Sequence, residues 1–236
     1  MKFRGIVFDK DGTLLDFNQT WLPVYRLAAD EFADGDAVLA AQLLEQHGFD
    51  AAAGRFIGGS LLAAGNNRQI AETWARQVGK SDRISQLRRR LHGIFRDQSA
   101  RQATPVRDLA PTLKRLKQAG MKLGVATADS HDGIINTLQS FDVLSAFDFL
   151  AGYDSGHGVK PEAGMVIAFC RQMELPANEV VVVGDNRHDI EMGRNAGAGL
   201  CVGVLTGTST RADLESLADL VLDDISGLPG VLADHG

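Results

Sequence analysis

The stretch Glu179-Val180-Val181-Val182-Val183-Gly184-Asp185-Asn186-Arg187-His188-Asp189 decides the class of fold. Its run of β-branched residues between turn formers reads as a strand covered on both faces. The acidic residues that follow open a short helix over His188 to Ala196, with carboxylates where a helix start favours them. Outward from this unit the alternation repeats. Met121–Ala126, Phe147–Ala151, Leu200–Leu205 and Leu220–Leu222 read as strands, and Leu109–Gly120, Ile134–Leu144 and Glu162–Leu175 as helices. Strands alternating with helices of this length imply right-handed βαβ units and a parallel α/β sheet with helices on both faces.

The amino-terminal side adds one more strand, Phe3 to Phe8, and then changes texture. Between Asn18 and Ala100 the apolar spacing is helical, over Trp21–Phe32, Asp36–His47, Asn66–Val78 and Asp82–Phe95. The predicted architecture is a discontinuous α/β core, residues 1–17 and 101–236, with an all-helical insertion at 18–100. Segments 16–20 and 98–105 are the connections about which such an insertion would open and close.

At 236 residues, with 44% hydrophobic and 23% charged residues, the chain has material for one large domain or two small ones. No apolar run approaches the roughly 20 residues that span a bilayer, and an acidic residue, Asp9, arrives before a signal-peptide core could form. Two cysteines, Cys170 and Cys201, suit a reducing compartment, so the expected location is the cytoplasm. The 24 basic against 30 acidic residues give a net charge of −6, without the positive field of a nucleic-acid binder. The basic run Arg88-Arg89-Arg90 reads as a solvated helix face. No nucleic-acid or membrane partner is expected; the chain would act as a monomer or homodimer on a small molecule.

In an open parallel sheet, ligands lie beyond the carboxyl ends of the strands. Those positions hold Asp9 and Asp11 after the first strand, Thr127 after the second, and Asp185 and Asp189 after Val180–Val183. Lys160 stands in the loop Gly156–Pro161 ahead of a helix. Each is unremarkable singly: Asp-x-Asp-Gly is a common turn, and threonines and lysines abound. Together they place four carboxylates, one hydroxyl and one ammonium on one rim. Asp9 and Asp11, two apart in extended chain, should converge while Lys10 faces away. Gly12 would turn the chain beneath them. Four carboxylates repel unless neutralised, and Mg²⁺ fits a few carboxylates with waters completing its shell. A hydroxyl and a fixed cation suit phosphate oxygens, which points to phosphoryl chemistry.

The set Asp9-x-Asp11-Gly12-Thr13, Thr127, Lys160-Pro161 and Gly184-Asp185-x-x-x-Asp189 resembles the haloacid dehalogenase-like hydrolases. The helical insertion after the first motif resembles the cap of the phosphoglycolate phosphatase and β-phosphoglucomutase branch. The resemblance implies a Rossmann-like core and an Mg²⁺-dependent phosphatase of small phosphate esters working through an aspartyl phosphate. It makes Asp9 the nucleophile and Asp11 the acid and base. Asp9, the backbone carbonyl of Asp11, and Asp185 would hold Mg²⁺, with Asp189 behind them orienting a water or Lys160. Thr127 and Lys160 would bind the phosphoryl group. Asp11 separates the chain from dehalogenase-type relatives, which lack an aspartate there.

A phosphomutase of the β-phosphoglucomutase kind shares these motifs and stays open as an alternative. A phospho-aspartate receiver shares the acidic residues, threonine and lysine, but it needs about half this length and has no such insertion. One departure from the pattern is Ala128-Asp129, where a small polar residue often follows the threonine; Asp129 would add negative charge near an anionic substrate. In the insertion, Arg55 and Arg68 on the turn segments Gly54–Gly59 and Gly65–Arg68 are candidates for a second anionic group of the substrate. Gly79-Lys80-Ser81 imitates the end of a phosphate-binding P-loop but lacks its leading glycine, since Trp74 occupies that position.

Overall fold

The computed structural model describes residues 2–234, with the side chains of Ala64, Ser99, Ala100 and Asp234 outside the description. The outermost ends of the predicted core, Met1 and residues 235–236, lie outside the described residues. The chain divides into two compact units, Met1–Asp16 with Pro105–Gly236, and Phe17–Thr104.

Among the described residues the strands are β1 (Gly5–Phe8), β2 (Phe49–Asp50), β3 (Arg55–Phe56), β4 (Lys122–Ala126), β5 (Phe149–Ala151), β6 (Val180–Gly184), β7 (Leu200–Val204) and β8 (Leu220–Leu222). Six of them form one sheet in the order β5-β4-β1-β6-β7-β8, and every neighbouring pair is parallel. The central strands are buried throughout, GIVF in β1 and VVVVG in β6, which is why they read as continuous apolar runs.

Alternate side chains then sort onto the two faces. Ile6, Phe8, Val181 and Val183 join the cluster built with Leu109, Leu113, Ile134, Leu138 and Leu228. Val7, Val180 and Val182 join the opposite cluster with Met165, Phe169, Cys170, Ile190 and Met192. The ring of Phe169 lies so close over β1 and β4 that a Cβ at Gly5 or Gly124 would stand 2.8 and 2.7 Å from it, so both strands carry glycine there.

The second unit has its own core, in which Phe17, Tyr25, Phe32, Phe56, Trp74, Leu91 and Phe95 pack together. Its helices are α1 (Phe17–Phe32), α2 (Ala37–Glu45), α3 (Leu61–Ala64), α4 (Asn67–Gln77) and α5 (Ile84–Gln102). The unit also holds the antiparallel pair β2–β3, with Phe49 opposite Phe56. Two residues per strand are too few to leave an alternation in the sequence, so this hairpin was invisible among glycines. The predicted connections are largely helical as well, since α1 begins at Phe17 and α5 runs to Gln102. Lys80, the P-loop mimic, is a structural tie: its Nζ donates to the Phe32 carbonyl at 2.8 Å and pairs with Asp34 at 2.7 Å. Among the described residues no helix is long and apolar enough to cross a membrane.

The remaining helices are α6 (Leu109–Gln118), α7 (His131–Ser140), α8 (Gly164–Met173), α9 (Arg187–Ala196), α10 (Arg211–Glu215) and α11 (Leu228–Asp234). Chain order runs from β1 outward to β4 and β5, then returns across β1 to β6, β7 and β8. Connections therefore leave β1 and β6 in opposite directions, and this is where an open sheet parts into a crevice at its carboxyl edge.

Candidate active site

Asp9 follows β1 and Asp185 follows β6 at that crevice, with Asp189 in the first turn of α9. Asp9, Asp185 and Asp189 are all buried, and each offers one carboxylate oxygen within 4.8 Å of the others. Lys160 Nζ reaches into the group, 2.5 Å from Asp9 Oδ1 and 2.6 Å from Asp189 Oδ1. Asp189 Oδ2 accepts from the Asn186 backbone N–H at 3.2 Å, and Asn186 accepts in return from the helix start, a capping box that locks Asp189 in place. Asp185 Oδ2 accepts from the Thr208 N–H at 3.1 Å.

Gly12 is the turn that the sequence required. Its φ of +97° is open to glycine, and a Cβ there would stand 2.6 Å from the Asp185 carboxyl carbon. A Cβ at Gly207 would collide with the same carboxylate. The Asp185 carboxylate thus sits in a cradle of bare backbone. Thr206 Oγ1 donates to the Gly12 carbonyl at 2.7 Å and ties the loop after β7 to the loop after β1.

The electrostatics follow from burial. Desolvation raises the Asp9 carboxyl to about 6, against the opposing pull of the Lys160 ammonium. Asp185 is held well above the ordinary carboxylate range by burial first and then by Asp189 and Asp9. Burial disfavours the charge on Lys160, but Asp189 and Asp9 outweigh it and hold the ammonium above the usual lysine range.

Three carboxylates against one ammonium leave a formal surplus of two negative charges. Asp9 Oδ2 is buried without a hydrogen-bond partner among the described residues, whereas Oδ1 and both oxygens of Asp189 have protein donors. A buried acceptor without a donor is costly, and a cation satisfies it. An all-oxygen anionic set with one uncommitted oxygen fits a hard divalent cation.

Thr127 is buried at the end of β4, its N–H donating to the Ala151 carbonyl at 3.0 Å. Its Oγ1 accepts from the Asp129 N–H at 3.2 Å. Asp11 and Lys10 depart from the sequence reading. Lys10 does not face away from Asp11: it is 1% exposed, and its Nζ lies 2.8 Å from Asp11 Oδ2 and 3.1 Å from Asp129 Oδ2. Extended alternation ends at Asp9, because the N–H groups of Thr13, Leu14 and Leu15 all turn back to the Lys10 carbonyl. Asp11 is raised by burial, with Lys10 working against that rise. Asp129, expected to add negative charge near an anionic substrate, shares the Lys10 ammonium with Asp11.

Arg68 belongs to α4, not to a turn, and its Nε pairs with Glu72 Oε1 at 2.7 Å one helical turn on. Arg55 is exposed on β3. Sequence reasoning missed Lys10, Asn186, Thr206 and Thr208. The two threonines follow β7, so the rule that found the aspartates, polar residues just past a strand, points to them too.

A sequence profile described as haloacid dehalogenase-like hydrolase matches residues 3–197. The chain is 28% identical over 241 residues to a phosphoglycolate phosphatase of Pasteurella multocida, covering 98% of this chain and 99% of that one. It is 27% identical over 197 residues to the pyrophosphatase PpaX of Bacillus velezensis, covering 83% and 81%. Among solved structures, a predicted phosphoglycolate phosphatase from Haemophilus somnus superposes with a TM-score of 0.76 at 20% identity, covering 98% of this chain and 99% of that one. With the sheet order, the rim of aspartates and the buried lysine, these matches make the chain a member of the haloacid dehalogenase-like hydrolases.

Proposed function

We propose that the protein is an Mg²⁺-dependent phosphatase of a small phosphorylated metabolite, acting through an aspartyl phosphate on Asp9. The observation that carries this is the Asp9 carboxylate: one oxygen is fixed by Lys160 at 2.5 Å and the other is buried without a donor among the described residues. A carboxylate so placed is oriented and still holds a free lone pair for phosphorus or a cation. The relatives named as phosphoglycolate phosphatase and pyrophosphatase support a small, multiply anionic phosphate compound as substrate.

Asp9 attacks phosphorus in line as the bond from phosphorus to the ester oxygen breaks. Asp11 gives its proton to the departing oxygen, then takes one from the water that cleaves the Asp9–phosphate bond. Lys160 offsets charge on the phosphoryl oxygens, and the Thr127 hydroxyl orients them. Asp189 holds Lys160 in line with Asp9. Asp9, the Asp11 carbonyl and Asp185 would hold Mg²⁺, which when bound supplies positive charge beside the phosphoryl oxygens.

Choice among esters is assigned to the inserted unit. Arg55 has no side-chain ion pair among the described residues, which leaves its guanidinium for a carboxylate or second phosphate. Arg55→Ala is expected to raise KM for such substrates about tenfold, the worth of one charge-assisted hydrogen bond. Arg68→Ala is the companion test, and an unchanged KM in both removes the pair from substrate selection.

The experiment on the reaction is phosphate release from a panel including phosphoglycolate, sugar phosphates and pyrophosphate, with Mg²⁺ or with chelator. Turnover that needs the metal and falls on the order of 10³-fold or more in Asp9→Asn is the expected result. Metal-independent release, or release that survives in Asp9→Asn, would remove the reading. A transfer of phosphate between two positions of one sugar, without net release, would instead assign the mutase chemistry.

A further inference from the structure

Two residues that the site chemistry leaves unused meet inside the core unit. Lys10 stands between the two aspartates of the first motif, and Asp129 lies two places after Thr127. Each carries a charge beside a site already rich in charge. In the structure each answers the other: the Lys10 ammonium, with 2% of its side chain exposed, bridges Asp11 Oδ2 at 2.8 Å and Asp129 Oδ2 at 3.1 Å.

Asp129 is itself fixed. Its Oδ1 accepts from the Ser130 N–H at 2.7 Å, and its carbonyl accepts from the Tyr153 N–H at 2.9 Å. Its own N–H donates to Thr127 Oγ1 at 3.2 Å. Ser130 caps α7 by accepting from the Gly133 N–H, and a Cβ at Gly133 would collide with the Asp129 carboxylate, so that glycine makes room for it. A line of contacts thus runs Thr127–Asp129–Lys10–Asp11 across the ends of the neighbouring strands β4 and β1. Without the ammonium, two partly buried carboxylates, with 20% and 34% of their side chains exposed, would face each other, and Asp11 would swing away from Asp129. With it, the Asp11 carboxylate has one preferred placement relative to Thr127.

We propose that Lys10 and Asp129 are a pair of positioning residues that set the Asp11 carboxylate for proton delivery to the leaving oxygen. The proposal rests on the assignment of Asp11 as acid, made above. In that step the bond from phosphorus to the ester oxygen breaks as the bond from Asp9 to phosphorus forms. The electron pair left on the ester oxygen takes the Asp11 proton, leaving Asp11 ionised. An acid displaced by about 1 Å loses on the order of 10²-fold in rate, and the loss depends on how much the leaving group needs the proton. An alkoxide needs it; p-nitrophenolate does not.

The test is rapid-quench, single-turnover release of the leaving group by the full chain with Mg²⁺, so that hydrolysis of the aspartyl phosphate does not enter. An alkyl phosphate is compared with p-nitrophenyl phosphate for Lys10→Met, Asp129→Asn, the double variant and Asp11→Asn. Lys10→Met and Asp129→Asn are expected to slow release from the alkyl ester about 10- to 100-fold, with less than about threefold change on p-nitrophenyl phosphate and little change in KM. The double variant is expected to match the slower single one, because the two act as a unit. Equal losses on both esters, or none, in variants that keep the wild-type far-ultraviolet circular dichroism would overturn the pairing. If Lys10→Met does not fold, Asp129→Asn alone decides by the same ratio. Asp11→Asn separates the two layers: no leaving-group dependence there overturns the acid assignment and the proposal with it. A dependence in Asp11→Asn that is missing from the other variants overturns the positioning role alone.

Discussion

The Asp9 carboxyl is raised from 3.8 to about 6 because burial opposes its charge more strongly than Lys160 supports it. A carboxyl with a higher value folded than unfolded binds its proton more tightly in the native state. Its ionisation therefore removes stability as pH rises through the window between those two values. A divalent cation takes the ionised form and reverses that cost. The increment in Tm on adding Mg²⁺ is accordingly expected to be small at about pH 5 and to grow to a plateau above about pH 7. Thermal unfolding with and without Mg²⁺ across that range checks it, and an increment independent of pH would remove Asp9 from the cation site. Lys160 supplies the complementary case. Lys160→Met leaves Asp9 and Asp189 buried without their common counterion, a change expected to cost about 3–5 kcal/mol. Part of that loss should return with Mg²⁺, whereas a purely packing role for the lysine stem would give a loss blind to the cation. Gly12→Ala puts a Cβ 2.6 Å from the Asp185 carboxyl carbon at a φ of +97°. Strain of this kind costs about 1–3 kcal/mol, and the variant is expected to lose its response to Mg²⁺ along with its turnover.

Between strands, the sheet is tied at its amino-terminal edge by a carboxylate of a different kind. Asp148, just before β5, accepts from Lys117 Nζ at 2.6 Å and from the Leu123 N–H at 2.9 Å. Partial burial works against its charge, but these two bonds prevail and hold it below the ordinary range. That contribution is present above the unfolded carboxyl value and is lost as pH falls through the lowered folded one. Asp148→Asn is expected to lower stability at neutral pH by about 1–2 kcal/mol, and by less in acid, as urea unfolding at both pH values would reveal. Asp148 drew no notice in the sequence because nothing marks a carboxylate just ahead of a strand as a tie to the neighbouring strand and to a helix. The elements themselves were legible: β6 and β7 are buried on both faces, so their apolar runs were unbroken, and the aspartates stood where strands end. Less legible were features set by where the chain bends. The direction of Lys10 depends on the turn closed on its own carbonyl, and the β2–β3 hairpin is too short for a period. The placement of Thr206 and Thr208 beside Gly12 and Asp185 depends on strand order, since β7 neighbours β6 only once the sheet is assembled.

Over the whole molecule, two apolar cores stand where a chain of this length could have built one. The cluster containing Phe17, Tyr25, Phe32 and Trp74 draws every member from the inserted unit, and the two clusters on the sheet draw theirs from the other. The chain has only two tryptophans. Trp74 is fully buried in the inserted unit, and Trp21 packs on the same cluster. Tryptophan fluorescence therefore follows the inserted unit alone, while the carboxylates that would hold a cation all belong to the sheet unit. A ligand stabilises what it binds by mass action. Two cores with separate membership are expected to unfold in separate steps, which departs from a single two-state transition. In urea, Mg²⁺ should raise the midpoint of the circular dichroism transition that reports the sheet unit and leave the fluorescence midpoint nearly in place. Asp9→Asn should abolish the first shift without touching the second. Coincident midpoints that move together with Mg²⁺ would mean that the two units unfold as one cooperative body, with the inserted helices stabilised through the sheet rather than by their own aromatic core.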